Sequence, residues 1–172
     1  MQERKFENIF TDMPLSNGKV AICITTNGVV KKDGHAVMGA GIAKQAKDIF
    51  SGIDNKLGDY LLKYGNRCFN LGKYEVEDTD CYIFSFPTKQ HYKDNADINL
   101  IENSCKQLLL MLDKFGINKV YIPYPGIGCG KLNKKDVEKI LNKYFKEDNR
   151  VIVFEKGIEE LAAFNKTLQV LD

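Results

Sequence analysis

The chain has 172 residues, a formal net charge of +2, and 44% hydrophobic against 28% charged residues. That length suits one domain able to bury roughly 70% of its unfolded surface, and the balance excludes wholesale disorder. No apolar run approaches the ~20 residues of a membrane span, and residues 1–10 are charged rather than signal-like, so no membrane partner and a cytoplasmic location are expected.

In chain order, short β-type runs alternate with helical patterns. Residues 4–10 and 70–77 are the weaker strand candidates. Residues 20–24, 81–86, 119–124 and 150–154 are apolar on consecutive positions, as strands buried on both faces are. A helix is expected from about Gly39 to Phe50 through Ile42, Ala43, Ala46 and Ile49. The clearest helix covers residues 96–115, where Ile98, Ile101, Cys105, Leu108, Leu109 and Leu112 form one stripe and Gly116 supplies a left-handed stop. Another begins near Asn133 as cap, with Asp136 in capping-box position and Val137, Ile140, Leu141, Tyr144 and Phe145 on its buried face. A last helix is expected over 158–168. Alternation of this kind specifies a three-layer α/β sandwich over residues 1–172, in which ligands collect where strands end and helices begin.

Composition narrows the chemistry. The basic residues are mostly Lys, with Arg only at positions 4, 67 and 150, which argues against Arg-based reading of guanine edges. The five cysteines at 23, 68, 81, 105 and 129 are odd in number and include no C-x-x-C, so reduced, mostly buried thiols and no metal site are expected.

Two glycine-rich loops stand at strand-to-helix junctions. The first follows residues 20–24 and runs from Thr25-Thr26-Asn27-Gly28 to Gly39-Ala40-Gly41-Ile42-Ala43. The second follows residues 119–124 and reads Pro125-Gly126-Ile127-Gly128-Cys129-Gly130. Glycine lets main-chain amides approach an anion, and a helix N-terminus adds partial positive charge, so the pair could hold a pyrophosphate. Neither is a dinucleotide fingerprint, since Lys44 or Lys131 stands where a small residue belongs; Pro125 and Leu132 exclude a Walker loop. Each loop alone is equally a plain turn. Between them, Phe86-Pro87-Thr88-Lys89-Gln90-His91-Tyr92 ends a buried strand, and Lys89 should project near the same edge, although a lysine there is ordinarily just solvated.

Met38-Gly39-Ala40-Gly41-Ile42-Ala43, Phe86-Pro87-Thr88-Lys89 with His91, and Ile127-Gly128-Cys129-Gly130 resemble three signatures of the macrodomain superfamily. Their order and approximate spacing match its lysine-dependent branch, which removes ADP-ribose from protein or from thymidine in DNA. The resemblance covers roughly residues 20–155 and implies an α/β/α sandwich around a mixed sheet, without a cofactor. It implies that Gly39, Ala40, Gly41 and Ile42 wrap the distal ribose and one phosphate, and that Gly126, Ile127, Gly128, Cys129 and Gly130 wrap the diphosphate. Asn27 falls where macrodomains place a polar contact to the distal ribose, or it serves a local turn. Phe154 falls where an aromatic packs on adenine, or it caps the core. Lys89 matches the lysine that attacks the anomeric carbon of the distal ribose, which a lysine can do only as the free amine.

One departure stands out. The protein-directed members carry a catalytic Asp two residues after Gly-Cys-Gly, and Leu132 occupies that place. Asp33, Asp136, His35 and His91 are the residues that could substitute. The expected activity is release of ADP-ribose from an acceptor (protein, nucleic acid or small molecule) by a monomer. A passive ADP-ribose-binding module or an ADP-ribose 1″-phosphate phosphatase are the alternatives. Lys131, Lys134 and Lys135 could steer an anionic substrate, or simply solvate a helix start.

Overall fold

The computed structural model describes residues 1–16 and 18–156, so the helix expected over 158–168 lies outside the described residues. Eleven elements follow one another: β1 (Gln2–Phe6), α1 (Ile9–Asp12), β2 (Gly18–Thr26), α2 (Gly41–Ile49), α3 (Ile53–Tyr64), β3 (Asn70–Val76), β4 (Thr79–Pro87), α4 (Ile98–Phe115), β5 (Lys119–Pro123), α5 (Lys134–Phe145) and β6 (Val151–Lys156). The strands form one sheet in the order β1-β6-β5-β2-β4-β3. All neighbours pair in parallel except β3, which runs antiparallel to β4.

The sheet is covered on both faces, which is why its central strands read as continuous apolar runs. Along β2, Val20, Ile22 and Ile24 join one core with residues of α1, α2 and α3. Ala21 and Cys23 point to the other face, into a core with Ile101, Leu108 and Leu112 of α4 and Val137, Leu141 and Phe145 of α5. This is the expected three-layer α/β sandwich around a mixed sheet. The outer strand β1 is exposed along Gln2–Lys5, and the charged Glu3, Arg4 and Lys5 protect the edge from further pairing.

Several boundaries differ from the sequence reading. The first strand stops at Phe6, because Asn8 caps α1 by accepting the Phe10 amide at 3.0 Å; Ile9 and Phe10 thus enter the core from a helix. Helix α4 begins at Ile98, two residues later than expected, with Asp97 accepting the Asn99 and Leu100 amides. Gly116 ends it in the left-handed region, as expected. Asn133 caps α5 through the Lys135 amide at 2.9 Å, with no return bond from Asp136 among the described residues. Ile49, placed in the α2 stripe, is half exposed. Cys23, Cys81 and Cys105 are buried and Cys68 is half-buried, but Cys129 is exposed in the second loop.

Helix α3 has no counterpart in the sequence reading, and it positions the first glycine-rich loop. Ile53, Leu57 and Leu61 bury one face at four-residue spacing. Its first turn grips the loop: the Asp54 carbonyl accepts the Ala36 amide at 2.9 Å, and the Asp54 carboxylate accepts from His35 Nδ1 at 3.0 Å. Burial alone would push the Asp54 carboxyl up; the bond and charge from His35 outweigh it, so the group sits below its ordinary range. Gly58 allows the contact to close, since a Cβ there would overlap the Gly34 carbonyl oxygen and lie 3.0 Å from the Ala36 nitrogen.

Two measurements check this clamp. Gly58→Ala should lower unfolding stability by about 1–3 kcal/mol in a urea titration, because the backbone facing it cannot yield. A carboxyl held low stabilises the fold above its unfolded pKa of about 4, and that contribution is lost as pH falls through the folded value. Asp54→Asn should therefore cost stability at neutral pH and flatten the acid limb of a stability–pH curve below about pH 4.

Candidate functional site

Because β1, β6, β5, β2 and β4 are parallel, their C-terminal ends share one edge of the sheet, and a cleft of about 760 Å³ opens there. That volume is typical of a small-molecule site. Its walls come from both glycine-rich loops, from Thr88, Lys89 and Tyr92 after β4, and from Phe6 and Glu7 at the end of β1 and Phe154 and Glu155 of β6. Adjacent strands stand about 4.8 Å apart, so from β4 to β6 the cleft spans three steps, about 14 Å. Lys89 enters it from the loop after β4, and the two phenylalanines from β1 and β6.

The first wall is the start of α2. Ala40 holds the N-cap position in extended backbone and makes no side-chain cap bond. A helix leaves its first amides without internal partners, so those of Gly41, Ile42 and Ala43 are available to an acceptor at the cleft, which these residues line. A Cβ on Gly39 would meet nothing within 4 Å, which marks free space in front of the backbone. Asn27 lines the cleft but is engaged in the loop: its amide nitrogen donates to the Val37 carbonyl at 2.9 Å and its oxygen accepts the Val29 amide at 3.0 Å. The local turn role is thus established by these bonds, and one amide hydrogen remains.

The second wall is tighter. Leu132 N donates to Gly126 O at 2.8 Å, Lys131 N to Gly128 O at 3.0 Å, and Ala96 N to Gly130 O at 2.9 Å. Gly126 has φ +78°, and a Cβ there would lie 2.9 Å from Ala96 Cβ, Ile101 Cδ1 and Leu132 Cδ1 alike. The loop is therefore pressed onto the start of α4 and kept thin. On its cleft side, a Cβ on Gly128 would again meet nothing within 4 Å.

Lys89 lies where the walls meet. Its Nζ donates to the Cys129 carbonyl at 3.1 Å and to the Tyr92 carbonyl at 3.5 Å, so the lysine after β4 is tied to the loop after β5. Asn66 holds the Lys89 backbone from below, its Nδ2 donating to Lys89 O at 2.9 Å.

At the far end, Phe154 is 4% exposed and packs edge-on against Phe6 at 5.8 Å between ring centroids. Phe154 thus caps the core and lines the cleft at once, while the half-buried Phe6 offers the more open ring. The sequence reading missed Phe6 and Glu7, since only the β1–β6 pairing brings residues so near the N-terminus to this edge. Glu155 forms an ion pair with Lys134, and Lys134 also lies over the Tyr124 ring at 4.6 Å, so this lysine is structurally committed. Burial and the Glu3 hydrogen bond at 2.7 Å raise the Tyr124 phenol well above its ordinary value, keeping it a neutral donor.

The substitute acid–base residues do not reach the cleft. Asp33 accepts the His35 amide in an exposed turn, His35 is bound to Asp54, His91 Nδ1 accepts the Lys93 amide, and none of them or Asp136 lines the cleft. Leu132 packs into the core beneath Gly126, so the position of the family Asp points away from the ligand space. Among the described residues, the carboxylates that line the cleft are Glu7, just after β1, and Glu155, within β6, whereas Lys89 follows β4, three strand steps from β6. Among the described residues, no group of acidic, histidine and cysteine side chains is arranged to hold a metal ion, and no helix is long and apolar enough to cross a membrane.

No protein-family model matches the chain. A curated DNA ADP-ribosyl glycohydrolase of Mycobacterium tuberculosis is 29% identical over 120 residues, covering 64% of this chain and 32% of the relative. Its counterpart from Thermus aquaticus is 28% identical over 112 residues, covering 60% and 29%. The chain thus spans about a third of the length of the curated relatives it matches. Among solved structures, the macrodomain of Mycobacterium tuberculosis DarG superposes with a TM-score of 0.67 at 26% identity, over 79% of this chain and 88% of that one. Thermosipho africanus DarTG in complex with ADP-ribose gives 0.67 at 23% identity, over 81% and 38%. The three glycine and lysine motifs, the sheet order and these likenesses agree: the chain has the macrodomain fold and resembles the macrodomains of the DNA ADP-ribosyl glycohydrolases.

Proposed function

We propose that the cleft binds ADP-ribose and that the protein releases it from a nucleobase of DNA, with Lys89 as the nucleophile. The observation that carries this reading is the place of Lys89, whose Nζ lies 3.1 Å from the Cys129 carbonyl at the junction of two walls with open glycine backbone. The diphosphate lies between the α2 amides and the 126–130 loop, where main-chain donors replace its water without the cost of moving. Adenine lies on the Phe6 and Phe154 side, and the distal ribose beside Lys89.

The chemistry follows from that placement. Lys89 must first give up a proton and turn its lone pair from the two carbonyls to the anomeric carbon. Attack forms a C–N bond to Lys89, and the bond to the base breaks with its electron pair going to the base, which takes up a proton. Water then cleaves the bond to Lys89 and frees ADP-ribose. The missing Asp supports a second reading, an ADP-ribose-binding module, because among the described residues the carboxylates that line the cleft belong to the β1 and β6 side, away from β4.

Calorimetry with ADP-ribose should show saturable 1:1 binding. Gly128→Val, which fills the space before the second wall without backbone strain, should abolish that binding and leave the melting temperature unchanged. Lys89→Ala should retain ADP-ribose binding and slow release from an ADP-ribosylated oligonucleotide by ~10²-fold or more. Intact conjugate after prolonged incubation with the wild-type protein would instead identify the binding module.

A further inference from the structure

Tyr92 is unlike the other large apolar side chains on the surface. Six of these are exposed among the described residues, and Tyr92, at 44% exposure, is the one that also lines the cleft. Its main chain is beside the reacting position, since Lys89 Nζ donates to its carbonyl at 3.5 Å.

The ring is also held ready. His91 stacks on it with centroids 4.4 Å apart and planes 27° from parallel, and the Lys93 amide fixes that imidazole by donating to Nδ1 at 3.1 Å. The carrying loop is pinned at several points: Asp94 N donates to His91 O at 3.1 Å, Gly28 N to Gln90 O at 3.0 Å, and Asp97 N to Thr88 O at 2.8 Å. Lys93 brings its ammonium over the ring at 6.0 Å from the centroid, a loose contact that leaves the ring 44% exposed. An aromatic face kept open to water costs solvation free energy in the unliganded protein, and that cost is recovered when a flat apolar group covers it.

From this geometry we infer that Tyr92 is a stacking platform for the leaving group, and that the leaving group it selects is a nucleobase rather than a peptide side chain. The inference rests on the ADP-ribosyl-releasing role of the cleft and adds a binding element for the leaving group beside Lys89. Base-on-aromatic stacking is worth about 1–3 kcal/mol per base, so an attached base strengthens binding by about 5- to 150-fold over free ADP-ribose.

The test uses the Lys89→Ala protein, which does not consume its ligand, alone and combined with Tyr92→Ala or Tyr92→Trp. Three ligands are titrated: free ADP-ribose, an ADP-ribosylated single-stranded oligonucleotide and an ADP-ribosylated glutamyl peptide. The oligonucleotide should bind more tightly than free ADP-ribose when Tyr92 is intact and in the Tyr92→Trp protein. In the Tyr92→Ala protein the two should bind equally, and the peptide should show no gain in any of the three. Each affinity is read as a ratio to that of free ADP-ribose in the same protein, so any change that Tyr92 makes to the cleft itself cancels. An oligonucleotide advantage that survives Tyr92→Ala, an equal gain for the peptide, or no advantage at all would overturn the proposal. Absence of any binding by free ADP-ribose would instead remove the underlying reading of the cleft, and the platform with it.

Discussion

Five parallel strands end at the same edge of the sheet, and this single constraint builds the site. Each strand delivers its following loop to that edge, so segments as distant as Phe6, Asn27, Lys89, Gly128 and Phe154 meet around one cleft. Burial on both faces fixes the strand register, since slipping by one residue would exchange the two cores. The loops inherit that rigidity. The sheet itself therefore sets the positions of the cleft walls relative to one another.

Two different devices keep the glycine walls thin. The second wall is compressed from behind: Ala96, Ile101 and Leu132 leave no volume for a side chain at Gly126. The first is held from the side by α3, through the Asp54 contacts and the close approach at Gly58. In both cases the glycines that matter for packing differ from those that face open space, Gly39 and Gly128. Packing glycines shape the wall, and open glycines leave room in front of it.

The central strands, both glycine loops and Lys89 are legible in the sequence because their signals are local: consecutive apolar runs, closely spaced glycines and a proline at a strand end. Helix α3 escapes that reading, although Ile53, Leu57 and Leu61 at four-residue spacing between Gly52 and Gly65 carry its signature; the interior Gly58 and four lysines and aspartates dilute it. Phe6 and Glu7 have no local signal, because the pairing that brings them to the cleft joins residues some 150 positions apart. The candidate general acids fail for the same reason. His35 and Asp33 lie in the right loop by sequence, yet the α3 clamp holds His35 against Asp54, outside the cleft lining.

The account stands on the distal ribose reaching Lys89 when the diphosphate lies between the two walls. A crystal structure with ADP-ribose bound measures this directly. The predicted result is a diphosphate held by the amides of residues 41–43 and 126–130, with the anomeric carbon within about 3.5 Å of Lys89 Nζ, a near-attack distance. A ligand bound in the opposite orientation, with adenine against Lys89 and the distal ribose at Phe6 and Phe154, would contradict it.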